Sequence, residues 1–249
     1  MNVLAIDAGN SRIKWGVADD NGWMQRDSLD TTDVSSLGAA IHDSPAPTCV
    51  VISNVAGAGV RETLIRTLAH LNVAPLWVQG RAQQCGVRSG YADPAQLGSD
   101  RWAGLIAAWK RCGKACIVVN AGTTMTVDAL SDEGVFLGGV IVPGLELMRE
   151  SLAHGTAQLK FTPGTFCYFP DNTADAIFSG AINALAGTID RMRAYMLETG
   201  QVSPQAPLVV LSGGAAPLLQ PRLNLQSLHS ELVDNLVLEG LLEIAREGC

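Results

Sequence analysis

The richest run of chemistry-bearing residues lies near the start of the chain, in Asp7-Ala8-Gly9-Asn10-Ser11-Arg12-Ile13-Lys14. Gly9 allows a backbone to approach an anion closely, and the N–H groups of such a turn can cradle phosphate oxygens. Asn10 and Ser11 add side-chain donors, and Lys14 adds a positive charge. Asp7 is an oxygen ligand suited to Mg²⁺, which keeps its waters and binds through few carboxylates. An ordinary Asx-Gly hairpin turn has the same composition. A second run extends from Gly90 through Tyr91, Gly98, Ser99, Asp100 and Arg101 to Trp102. Ser99 can cap a following helix, which puts Asp100 in the first turn, where the helix dipole favours an ionised carboxylate. A carboxylate so placed can take the proton of an attacking hydroxyl, and Arg101 can hold a substrate carboxylate. A helix-capping Asp beside a solvated Arg reads the same way. Thr173 is a natural N-cap for a long helix and is compatible with a substrate contact. The pair Gly213-Gly214 after a strand would admit a flat ring or ribose.

Other signatures are missing. The chain has no G-x-x-x-x-G-K-[ST], H-E-x-x-H or G-x-S-x-G. Gly57-Ala58-Gly59-Val60-Arg61-Glu62 begins like a dinucleotide fingerprint but has Glu62 at its third glycine position, so it reads as a turn leading into a helix. His42, His70, His154 and His229 are scattered. The six cysteines form no CxxC pair, and only Cys112 and Cys116 are close, so buried free thiols in a reducing cytoplasm are expected. With 17 Lys+Arg against 24 Asp+Glu the net charge is −7, which argues against nucleic acid as a partner. No apolar run approaches the roughly 20 residues of a spanning helix, and Asp7 interrupts any leader-like start, so neither membrane nor export is expected.

These residues need elements to hold them, and the pattern supplies the elements twice. Residues 3–17 (VLAIDAGNSRIKWGV) are echoed by residues 116–130 (CIVVNAGTTMTVDAL), an offset of 113 that sets Asp7-Ala8-Gly9 on Asn120-Ala121-Gly122. Each copy reads as strand, glycine turn and returning strand. Two turns of this kind could clamp one nucleotide. Further strands are predicted at Cys49–Asn54, Pro75–Gln79, Val135–Val142 and Leu208–Leu211. Helices are predicted at Val60–Leu71, Asp100–Arg111, Leu145–His154, Ala174–Glu198 and Glu231–Arg246. The alternation implies an α/β protein of mixed sheets covered by helices, in two halves, 1–113 and 114–249.

In combination the motifs resemble type III pantothenate kinases. The family's D-x-G-N-[ST]-x-x-K turn matches Asp7–Lys14, and its Y-x-x-P-x-x-L-G-x-D-R loop matches Tyr91–Arg101. Its D-x-G-T-x-x-T turn matches Asn120–Thr126 apart from the first residue, and G-G-x-I-x-P-G matches Gly138–Gly144. The T-A-x-L box is Thr156–Leu159, N-T-x-x-A-I-x-S-G is Asn172–Gly180, and [TS]-G-G is Ser212–Gly214. The resemblance implies two ribonuclease H-like domains in an actin-like ATPase duplication. It implies phosphorylation of pantothenate by ATP with Mg²⁺ in a cytoplasmic homodimer. Asp7, Ala8, Gly9, Asn10, Ser11, Arg12, Ile13, Lys14 and Thr123 would bind ATP, Asp7 also serving the Mg²⁺. Tyr91, Gly98, Ser99, Asp100 and Arg101 would bind pantothenate, with Asp100 as proton acceptor and Thr173 arriving from the partner subunit. Where the family has an Asp that helps bind K⁺ or NH₄⁺, this chain has Asn120, so a weak or absent need for that ion is expected. The same family includes accessory factors of transcription, and an actin-like nucleotide switch is a further alternative.

Overall fold

The computed structural model describes residues 1–156, 158–159, 161–200, 202, 207–223 and 230–249; Ala157 of the Thr156–Leu159 box and His229 lie outside them. The chain forms two compact units, one of Met1–Arg111 with Asn235–Cys249, the other of Cys112–Asp234. The first opens with an antiparallel meander, β1 (Val3–Ala8), β2 (Arg12–Asp19) and β3 (Gly22–Asp30). There follow α1 (Leu37–Ala40), β4 (Cys49–Asn54), α2 (Ala58–Leu68), β5 (Leu76–Trp77), a small hairpin β6 (Gln83–Gln84) and β7 (Val87–Ser89), and α3 (Ser99–Cys112). The sheet order is β3-β2-β1-β4-β5, with β4 parallel to both β1 and β5.

Successive strand residues point to opposite faces. Leu4, Ile6 and Ala8 therefore join Ile13, Trp15, Val50 and Ile52 in one core with Leu64 and Leu68 of α2. Val3, Ala5 and Asp7 fall on the other face. Burial on both faces is why β1 reads as an almost unbroken apolar run.

The second unit contains β8 (Cys116–Ala121), β9 (Thr124–Leu130), β10 (Val135–Pro143), α4 (Leu145–Gly155), α5 (Thr173–Glu198), β11 (Leu208–Ser212), α6 (Ala216–Leu219) and β12 (Ser230–Leu232). Ile117, Val119 and Ala121 of β8 pack on Ile182, Leu185 and Ile189 of α5. Within this unit the strands run β10-β9-β8-β11-β12, the same order and the same parallel and antiparallel relations as in the first unit. The echo in the sequence is thus a structural duplication, with one refinement. The offset of 113 between Ala8 and Ala121 drops to 112 between their ladder partners Ile13 and Met125, because the second turn is one residue shorter.

Three expectations are corrected. The chain returns to the first unit as α7 (Leu236–Gly248), which packs on β1 and β4, so residues 235–249 do not belong with 114–234. Gly240 makes the approach to α3 possible, since a Cβ there would collide with the Ala103 backbone. The helix predicted at Glu231–Arg246 is in fact a strand and a helix. Glu231 pairs with Val210, and Asn235 in the left-handed region (φ 53°) separates the two. Finally, Cys49 and Cys249 are joined by a disulfide rather than free, with Cα atoms 6.2 Å apart. Cys85, Cys112, Cys116 and Cys167 are thiols outside that bridge.

Candidate active site

The turn joining β1 to β2 closes through Gly9, whose N–H donates to Arg12 O at 3.1 Å. Thr31, which the sequence reading passed over, braces it: its Oγ1 donates to Gly9 O at 2.7 Å and its N–H to Ser11 O at 3.1 Å. Asn10, Ser11 and Arg12 are exposed, and Arg12 Nη2 donates to Ser28 Oγ at 2.8 Å. Ala8 and Ile13 are fully buried. Their side chains belong to the core, leaving only their main chain for a ligand.

Asp7, next to last in β1, lies opposite Lys14 on β2 and Ser53 on β4. Its Oδ1 is buried without a hydrogen-bond partner. Burial, then the negative charge of Asp100, push its carboxyl up to about 7, against the pull of Lys14 and a hydrogen bond from Ser53. An orphaned buried carboxylate oxygen is costly. It fits a hard divalent cation, which would supply the missing partner and favour the ionised form.

Asp100 lies in the first turn of α3. Ser99 is the first residue of that helix rather than its cap, and its Oγ lies 2.9 Å from Ser53 Oγ. Asp100 Oδ1 accepts from Arg101 N at 2.8 Å. Burial raises the Asp100 carboxyl above the ordinary range, and the backbone N–H and guanidinium of Arg101 pull the other way. A carboxylate shifted toward neutrality is a better proton acceptor near pH 7. Arg101 is itself buried, and its Nη1 donates to Tyr91 Oη at 3.4 Å. Gly98 has a specific reason to be glycine: a Cβ there would stand 2.7 Å from Asp100 Oδ1. The first unit therefore gathers Asp7, Ser53, Ser99 and Asp100, and the second run also brings Tyr91 to Arg101. Ser53 was legible only as part of a buried strand; its polar position at the strand's end was the available signal.

In the second unit three separate motifs converge. Gly122 N donates to Thr124 O at 3.0 Å, Gly144 N to Thr123 O at 2.9 Å, and Ala215 N to Ala121 O at 3.1 Å. A side chain at Gly144 would collide with the backbone of Gly122 and Thr123. Gly213 has φ 97° and lies against the Ala121 backbone. Asn120 is half-buried opposite Ser212 of β11, as Asp7 is opposite Ser53. Thr173 is the first residue of α5 rather than its cap. Asn172 takes that role, its Oδ1 accepting from Asp175 N at 3.0 Å. Thr173 lines an open, largely apolar cavity of about 820 Å³ with Pro143, Met148, Leu152 and Ile177.

Duplicated mixed sheets, each with a glycine turn after its first strand, are the actin-like ATPase and sugar-kinase fold. A candidate 2-dehydro-3-deoxygalactonokinase from Sinorhizobium meliloti shares that fold with a TM-score of 0.63, 16% identity and 98% coverage of each chain. The chain belongs to the type III pantothenate kinase family, whose pattern matches residues 3–195. It is 49% identical over 245 residues to the type III pantothenate kinase of Nitrosospira multiformis, covering 98% of this chain and 91% of that one. It is 46% identical over 245 residues to that of Aromatoleum aromaticum, covering 98% of each.

Proposed function

We propose that the protein transfers the terminal phosphate of ATP to the terminal hydroxyl of pantothenate, the first step of coenzyme A synthesis, in the cytoplasm. The observation that carries this reading at the site is the pairing of two half-buried carboxyls. Asp7 has an oxygen free for a cation, and Asp100 sits within reach of its charge. Asp100 would accept the proton of the attacking hydroxyl, while Arg101, held by Tyr91, would take the substrate's carboxylate. The main chain of Asp7–Lys14 and Thr123 are proposed for phosphate. A divalent ion at Asp7 would neutralise charge on the transferring group. Asp100→Asn is expected to keep pantothenate binding by calorimetry and to lose about 10²–10⁴-fold in kcat. Near-normal turnover would remove Asp100 from the mechanism.

Asn120 keeps an oxygen ligand without the charge of Asp, so we also propose that K⁺ is dispensable. Activity in tetramethylammonium buffer is expected to match that in K⁺ buffer, and a strict K⁺ requirement would refute it. A homodimer in which the partner's Thr173 completes the pantothenate pocket is proposed on the family resemblance. The exposure of Ile141, Tyr168 and Phe169, the last at 95%, supports it; a monomer in solution would overturn it. The buried Arg101 and its loop favour a small carboxylate substrate over a nucleotide switch or a transcriptional role.

A further inference from the structure

Ser53 is completely buried at the end of β4, and no motif of the sequence singled it out. Parallel pairing sets it beside Asp7 on the same face of the sheet. Its Oγ lies 2.9 Å from Ser99 Oγ, and its hydroxyl favours the ionised form of the neighbouring Asp7 carboxyl. Ser53 is therefore the one hydroxyl of β4 that faces both Asp7, through the strand register, and Ser99, through a direct contact. The chain of hydroxyls runs from the first residue of α3, next to Asp100, across β4 to the end of β1.

We infer that Ser53 is a positioning residue: its hydroxyl, set beside Asp7 by the strand register, holds that carboxylate in place for a divalent cation and links it through Ser99 to the helix start that carries Asp100. The inference rests on the reading of Asp7 as a cation ligand. Hydrogen bonds that orient a metal-binding carboxylate matter nearly as much as the ligand itself, and their loss typically costs about 10–100-fold in affinity or activity. Ser53→Ala removes one buried hydroxyl oxygen and leaves the strand's backbone ladder intact.

The test compares wild type with Ser53→Ala, Ser53→Thr, Ser99→Ala and the Ser53→Ala/Ser99→Ala double variant. Ser53→Ala is expected to lower kcat and to raise the Mg²⁺ concentration for half-maximal rate, each by about 10-fold or more. The KM for pantothenate should stay within about threefold. Ser53→Thr, which keeps the hydroxyl, should recover most of both. The double variant should be little worse than Ser53→Ala alone, because the two hydroxyls act in series. Without any substrate, the rise in melting temperature on adding Mn²⁺ should be smaller in Ser53→Ala than in wild type. Unchanged Mg²⁺ dependence and Mn²⁺ response in Ser53→Ala would overturn the inference. So would a failure of Ser53→Thr to recover either, or an activity loss matched by an equal loss of folded protein. A wild-type enzyme inactive on pantothenate would count against the proposed reaction instead, and the Mn²⁺ measurement would still decide Ser53.

Discussion

At Asp7 the requirements of stability and of chemistry oppose each other. The folded protein raises this carboxyl from 3.8 to about 7, chiefly by burial and then through Asp100. Between those values the folded state holds a proton that the unfolded chain has released, so stability falls as pH rises from about 4 to about 7. A shift of this size corresponds to a ceiling of about 4 kcal/mol. In metal-free buffer, Asp7→Asn is therefore expected to raise the melting temperature at pH 8 and to change it little at pH 4.5, while abolishing stabilisation by Mg²⁺. Scanning calorimetry at the two pH values, with and without Mg²⁺, checks it; equal shifts at both would show that burial of the charge is not the cause. Asp7 itself was legible in the sequence because its turn is local. Its cost was not, because Asp100 and Ser53 reach it only through the fold.

The elements explain which parts of the reading were local enough to succeed. β1, its glycine turn and β2 are consecutive, and so are β8 and β9, so hydrophobic pattern and turn chemistry sufficed. The segment at 230–232 failed because Glu231 is a strand only by virtue of pairing with Val210, and a helical period there masks a long-range ladder. Ser53 failed for a related reason, since its meaning comes from register with residue 7 and contact with residue 99. Thr173 and Ser99 were each placed one position off as caps, the scale at which helix boundaries are least determined by sequence. The loop-to-α3 junction yields the prediction at this scale. A Cβ at Gly98 would stand 2.7 Å from Asp100 Oδ1, so in Gly98→Ala the carboxylate has to swing aside. The fold should survive, with melting within a few degrees, while kcat drops by about 10²-fold, the usual effect of displacing a reacting group by about 1 Å. Kinetics alongside a thermal melt distinguish this from simple destabilisation; unchanged kcat would show that the carboxylate has room.

For the whole molecule, the disulfide between Cys49 and Cys249 joins β4 to the end of α7. Under oxidising conditions Cys49→Ser is expected to destabilise the protein by about 2–4 kcal/mol. In dithiothreitol, where the wild-type bond is also open, only the smaller packing difference between the side chains should remain. Denaturant titrations in both buffers measure it, and equal losses in the two would mean that the bond contributes nothing. Where α7 belongs also has a consequence for how the protein is made. The face of β1 and β4 that it covers lies in the part of the chain synthesised first. On the ribosome that face must wait, uncovered, until all of Cys112–Asp234 has been translated. The strands that carry Asp7 and Ser53 are thus completed only when the last helix emerges, so a stalled or prematurely released chain would leave the exit tunnel with a finished second unit and an unfinished first one.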